Sequence, residues 1–137
     1  MVEITAVYDG QLRCRVTHGP SGQVITTDAP TDNYGKGEAF SPTDLVAASL
    51  ASCVLTVMGI VAARHQLDLT WTAVRVIKEM RNEPVRRIAR LATTVTFPRA
   101  FSSEQRALLE RTAASCPVHH SLHPDVEAPI EFVYPSA

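Results

Sequence analysis

Between Asp44 and Arg64 the chain carries no charge for 19 residues, 45–63. No other stretch constrains the fold so strongly. An uncharged run of this length either crosses a membrane or forms the inside of something. Its composition weighs against a lone span: Ser49, Ser52, Thr56 and Gly59 interrupt it, and many of its apolar members are alanine. It also lies mid-chain, between segments that read as ordinary strands. The economical reading is a helix that is apolar on every face because it is covered on every face. Its start is sharply signalled. Ser41 can cap, Pro42 suits the first helical position, and Asp44 completes an S-x-x-D capping box. The helix is expected to run to His65 or Gln66.

The flanking segments supply what covers it. Residues 2–8 read as a strand ending at Asp9-Gly10, a strong hairpin signal. Residues 11–17 alternate, with Leu12, Cys14 and Val16 on one face and Arg13 and Arg15 on the other. After a Gly19-Pro20-Ser21-Gly22 turn, residues 23–27 read as a third strand. Residues 28–40 are rich in turn formers and read as a surface loop, of a length often given to function. Beyond the long helix, residues 70–80 and 86–97 read as two strands joined by a polar turn at 82–84. Ser102 and Gln105 form a second capping box. It opens a helix with Leu108, Leu109 and Ala113 on its apolar side, ending near Ser115-Cys116-Pro117. Residues 126–134 read as a last strand, placed at an edge or a bulge by Pro129. The order is β-β-β-α-β-β-α-β, an α+β fold in a single domain over residues 1–137.

One small mixed sheet covers only one side of a helix. A second copy of the chain is therefore expected, with the two long helices packed together between sheets as an apolar homodimer. A lipid-binding or chaperone-like cavity around the helix is the alternative.

Composition excludes several classes. Apolar residues make up 45% and charged residues 20%, which argues against disorder. A net charge of −1 and an aromatic content of 6% give neither the basic footprint nor the stacking surface of a nucleic-acid binder. The charges around residues 78–90 are of mixed sign and read as a solvated surface. Three cysteines are too few, and odd in number, for a disulfide-stapled secreted module. The N-terminal MVEITAVYDG lacks the pattern of a signal peptide. The expected location is therefore cytoplasmic.

Chemistry could sit at the cysteines. Cys14 shares a strand face with Leu12 and Val16 and reads as packing. Cys53 lies halfway along the long helix, beyond the reach of the helix dipole, and by itself reads as a small core residue. Cys116 precedes Pro117. If Pro117 opens a helical turn, Cys116 is its N-cap, where free N–H groups favour a thiolate. His119 and His120 could add positive charge. Local signals thus favour Cys116 over Cys53 as the reactive thiol. The set Cys116, His119, His120 and His123 also invites a zinc reading, although its spacing matches no usual paired pattern. No dinucleotide, phosphate-loop or nucleophile-elbow motif is present.

Taken together, S-P-T-D-L-V-A-A-S-L-A-S-C (41–53), C-P-V-H-H-S-L-H-P (116–124) and the element order between them resemble the osmotically inducible protein C / organic hydroperoxide resistance (OsmC/Ohr) family. The resemblance covers essentially the whole chain. It implies an intertwined homodimer with two long central helices backed by β-sheets and sites at the dimer interface. It further implies a thiol peroxidase that reduces organic hydroperoxides, and to varying degrees hydrogen peroxide, in oxidative stress defence. Under it Cys53 matches the peroxidatic cysteine and Cys116 the resolving cysteine. A dithiol reductant, either a lipoyl protein or a thioredoxin-like system, restores both, and no metal or organic cofactor is needed.

The chain departs from that pattern in one respect. Family peroxidases pair the reactive cysteine with an arginine and with a glutamate ten residues before it. Here that position is Thr43. Asp44, nine before, points roughly opposite to Cys53 at about 100° per residue and reads as a cap. Arg15 is the arginine chosen as thiolate partner. The chain thus reads as a divergent OsmC-like subgroup. The competing function is a non-catalytic stress protein that holds a small apolar ligand in the dimer groove.

Overall fold

The computed structural model describes residues 1–136. The chain divides into two compact units, the first Met1–Val46 and the second from Ala47 onward.

The first unit is a three-stranded antiparallel sheet, ordered β1 (Ile4–Gly10), β2 (Arg13–His18) and β3 (Val24–Asp28). The three strands fall where alternation put them, but the first turn does not. β1 continues through Gly10, and the two residues at the tip are Gln11 and Leu12, with φ of 55° and 64°. Gly10, at φ 88°, absorbs a register shift between Tyr8 and Gly10. The Asp-Gly pair therefore makes a bulge, and the tip follows it. The Tyr8 hydroxyl, accepting from the Leu12 N–H at 3.2 Å, helps hold that tip.

The 28–40 loop is well ordered by its own hydrogen bonds. The Asp28 N–H donates to Phe40 O (3.1 Å), and Gly37 N–H donates to Ala29 O (3.2 Å). At Gly35 a Cβ would fall 1.7 Å from Ala29 O, so only glycine lets the chain close on itself there.

Helix α1 (Pro42–Arg64) begins as its capping signals require. The Asp44 N–H donates to Ser41 Oγ (3.1 Å), and the Ser41 N–H donates to Asp44 Oδ2 (2.9 Å). That reciprocal pair is the capping box, so Asp44 is spent on the helix start.

The second unit holds the core. Its sheet has the order β4 (Ala73–Arg81), β5 (Arg87–Thr96) and β6 (Ile130–Val133). β4 and β5 are antiparallel, and β6 joins β5 in parallel at the edge. Helix α2 (Ser103–Ala114) opens on the predicted box: Ser102 Oγ accepts from the Gln105 N–H at 3.1 Å, and Gln105 Oε1 accepts from the Ser102 N–H at 2.9 Å. A short helix, α3 (Pro117–Ser121), follows directly. The last strand is shorter than the 126–134 expected from pattern. Its far end is held by Tyr134, whose ring stacks on Phe97 at 4.7 Å and lies under the Arg106 guanidinium at 4.1 Å. The Tyr134 hydroxyl donates to Glu110 Oε2 at 2.9 Å. Burial, then the Glu110 carboxylate, push that hydroxyl's pKa well above its ordinary value.

α1 is long and apolar enough to cross a membrane by length and composition. In the chain it does something else. Leu50, Val54, Met58 and Ala62, spaced every fourth residue, are buried. They share the core with Leu91, Val95 and Phe97 of β5 and its end, and with Leu109 and Ala113 of α2. Each of the larger side chains among them, the leucines, valines, methionine and phenylalanine, stabilises the fold by about 1.5–3 kcal/mol when fully removed from water. The helix is not covered all round within one chain. Ile60 remains 51% exposed, and the positions flanking the stripe are half-buried.

Candidate active site

Cys53 lies on the fourth turn of α1, three residues after Leu50 and one before Val54. Both neighbours are fully buried, which fixes the rotation of the helix and puts Cys53 at the margin of the buried stripe. Its thiol is half-buried. Cys116 sits at the junction of α2 and α3 and has no exposed surface. The fold brings the two thiols near enough to act on one another, although the sequence separates them widely.

The local reading of Cys116 is half right. Pro117 does open a helical turn, and Cys116 is its N-cap, with Sγ accepting from the His119 N–H at 3.5 Å. By itself that contact favours a thiolate. Burial outweighs it, and the neighbouring Cys53 thiol adds to burial, so the Cys116 pKa is pushed above the ordinary cysteine value. The expectation that Cys116 is the activated thiol is therefore corrected. The shift favours the protonated form of Cys116, and Cys53 is the more accessible of the two sulfurs. Residue-resolved alkylation with iodoacetamide should place the pH midpoint of Cys116 above the ordinary value of about 8.5. In Cys53→Ser the midpoint should move down and stay elevated, because burial remains. A midpoint at or below the ordinary value would contradict this assignment.

The histidines next to Cys116 are engaged elsewhere. His119 Nε2 donates to Ala128 O at 3.0 Å. His123 Nδ1 accepts from Arg87 Nη2 (2.9 Å) and from the Asp125 N–H (3.0 Å). Among the described residues no three His, Cys, Asp or Glu side chains gather as metal ligands, so the zinc reading of the 116–123 set finds no ligand geometry.

Arg15 belongs to the first unit, where its side chain is 58% exposed and its Nε donates to both carboxylate oxygens of Asp9 (3.0 and 2.9 Å). The neighbouring arginine on the same strand face has richer surroundings. Arg13 Nη2 hydrogen-bonds Glu38 Oε2 and lies 3.7 Å from Asp28 Oδ2. Glu38, by hydrogen bond and charge, raises the Arg13 pKa further. Asp28 is 1% exposed, and its Oδ2 accepts from the Glu38 N–H at 3.0 Å. Its Oδ1 is buried with no hydrogen-bond partner among the described residues. Sequence reasoning passed over this arginine–carboxylate group, since alternation puts Arg13 and Arg15 on one face and cannot choose between them. Thr43, at the position of the family glutamate, lies 3.3 Å from Ser41 Oγ within the helix cap.

A cleft of about 280 Å³ in the second unit is lined by His65, Leu67, Glu104, Gln105, Leu108 and Arg111, and neither cysteine lines it.

The sequence profile of the OsmC-like protein family matches residues 35–131. The fold agrees across the whole chain. A structure from Psychrobacter arcticus, named an osmotic stress induced and detoxification response protein, is 42% identical, with a TM-score of 0.90 and 96% of each chain covered. An organic hydroperoxide resistance protein OsmC from Legionella pneumophila is 18% identical, with a TM-score of 0.77, covering 97% of this chain and 96% of its own. An organic hydroperoxide resistance protein from Vibrio cholerae, solved with captopril bound in one of its active sites, is 18% identical, with a TM-score of 0.76, covering 96% of this chain and 90% of its own. No curated protein sequence matches significantly. An α+β chain with one thiol on its core helix and a second at the α2–α3 junction beside it is the class that fold and site define. The protein belongs to the OsmC-like family.

Proposed function

We propose that this protein is a two-cysteine thiol peroxidase that reduces organic hydroperoxides, acting as a homodimer in a reducing, cytoplasmic compartment. The observation that carries the reading is the Cys53–Cys116 contact, an accessible thiol held against a buried, protonated one. In the first step the Cys53 thiolate attacks the distal peroxide oxygen. The O–O bond breaks, the departing alkoxide takes the proton that the Cys53 thiol had released to solvent and leaves as an alcohol, and Cys53 becomes a sulfenic acid. In the second step the Cys116 sulfur displaces hydroxide from that sulfenic acid. The proton that Cys116 carries completes a water molecule, and a disulfide remains. A dithiol then reduces the disulfide by exchange. Contact between the thiols before reaction spares the second step a large chain rearrangement, since a disulfide needs its two Cα atoms within about 7 Å.

The thiolate-partner arginine of this reading is Arg15, with Arg13, which holds the carboxylates Glu38 and Asp28 within the first unit, as the second candidate. The test of the function is a thiol count. Anaerobic cumene hydroperoxide should remove two thiols per chain, with Cys53 and Cys116 recovered as a disulfide in peptide maps. Unchanged thiols would sink the proposal.

The half-buried and exposed remainder of α1 supports the dimer, because a single chain leaves apolar surface such as Ile60 in water. Light scattering should return about twice the 14.9 kDa chain mass, and a single-chain mass would overturn the dimer.

A further inference from the structure

Cys116 has two jobs in the reduced protein. Its sulfur lies beside Cys53, and the same sulfur caps α3, accepting the His119 N–H at 3.5 Å. α3 has little else at its start: it is five residues long, and its first residue, Pro117, has no N–H to give. We infer that disulfide formation between Cys53 and Cys116 uncaps α3, so that oxidation loosens this helix and opens the buried sulfur to the reducing thiol. The inference rests on the Cys53–Cys116 pairing proposed above.

The physical chain is short. A disulfide draws Sγ to bonding distance of its partner and removes the thiol proton. The sulfur leaves the cap position, and as a disulfide sulfur it remains at best a weak acceptor. The His119 N–H then loses the side chain that satisfied it. The effect travels through two contacts of His119. Its ring donates to Ala128 O at 3.0 Å, and its carbonyl accepts from the Leu122 N–H at 3.4 Å. α3 and the segment leading to β6 therefore respond together.

The response solves an access problem. Exchange requires a thiolate to approach one disulfide sulfur. Cys116 is fully buried in the reduced state, while Pro117, His120 and Ser121 beside it are exposed. Loosening α3 opens a route only when there is a disulfide to reduce. The electrons balance with either of two oxidants. A hydroperoxide takes two electrons through the sulfenic acid, giving alcohol and water. Diamide takes two electrons and two protons directly from the thiols, giving the hydrazine.

The test is amide hydrogen exchange by NMR on the full-length protein in three states: reduced, oxidised with cumene hydroperoxide, and oxidised with diamide. The expected result is at least tenfold faster exchange of the His119 amide in the disulfide form, with Leu109 in α2 unchanged. Cys116→Ser, which keeps a hydroxyl at the cap, and Cys53→Ser, which keeps the thiol cap, should show no change on oxidation. Equal protection of His119 in the reduced and disulfide forms would overturn the inference. So would the failure of diamide to link Cys53 to Cys116. If the hydroperoxide leaves both thiols intact while the diamide disulfide uncaps α3, the peroxidase reading falls and this inference stands.

Discussion

Cys53→Ser should reduce hydroperoxide consumption to the buffer background, a loss on the order of 10³-fold or more, as expected when a covalent nucleophile is removed. Its companion should behave differently. Cys116→Ser keeps the attacking sulfur and loses the resolving one, so each chain should consume one hydroperoxide and stop. Dimedone should then label a sulfenic acid at Cys53. The two variants separate the roles because the thiols differ in kind. One is half-exposed, and the other is buried, caps α3 and has its pKa raised by burial. If Cys116→Ser loses the first turnover while Cys53→Ser keeps it, the roles are reversed, as the local sequence signals suggested. Folding should be nearly unaffected in both, since serine is close in size to cysteine and finds hydrogen-bond partners at either position.

Leu50→Ala should have the largest effect on stability. Leu50 has no exposed surface and stands in the stripe with Val54, Met58 and Ala62. Truncating a leucine in such a place costs about 2–5 kcal/mol, the lost transfer energy plus that of the cavity left behind. A protein with ordinary total stability would lose a large part of it. The urea midpoint should fall with the slope unchanged, since the surface exposed on unfolding hardly changes. The variant should also lose peroxidase rate below its melting range, because Leu50 lies on the helix face that sets the rotation of Cys53. Wild-type stability in this variant would mean that the helix is held elsewhere.

Much of this fold is legible in the sequence where local rules decide. The two capping boxes at Ser41 and Ser102 are written in four residues each and form as read. The turn at Pro117 is equally local, and so is its cap. Legibility fails where two local rules compete or where distance in sequence matters. Asp9-Gly10 looks like a hairpin tip, but the strand runs on through Gly10, and the tip forms from Gln11 and Leu12. Arg13 and Arg15 cannot be ranked by alternation. Only the folded loop, closing on Asp28 and Phe40, brings Glu38 to Arg13. The thiol pair is the clearest case. Neither the contact of Cys53 with Cys116 nor the burial that raises the Cys116 pKa follows from spacing. The pairing came from resemblance, and the chemical difference between the two sulfurs came from the fold.

Cys53 stands one turn from Leu50 and beside Val54, so its surroundings and the core are made of the same side chains. That sharing limits how such a protein can drift. A change that retunes the reactive sulfur through its buried neighbours must also survive a stability threshold, and most core changes do not. For the proposed peroxidase, adaptation to a new substrate or reductant is therefore channelled away from α1. It is left to residues that the core does not use, such as the exposed side of α3.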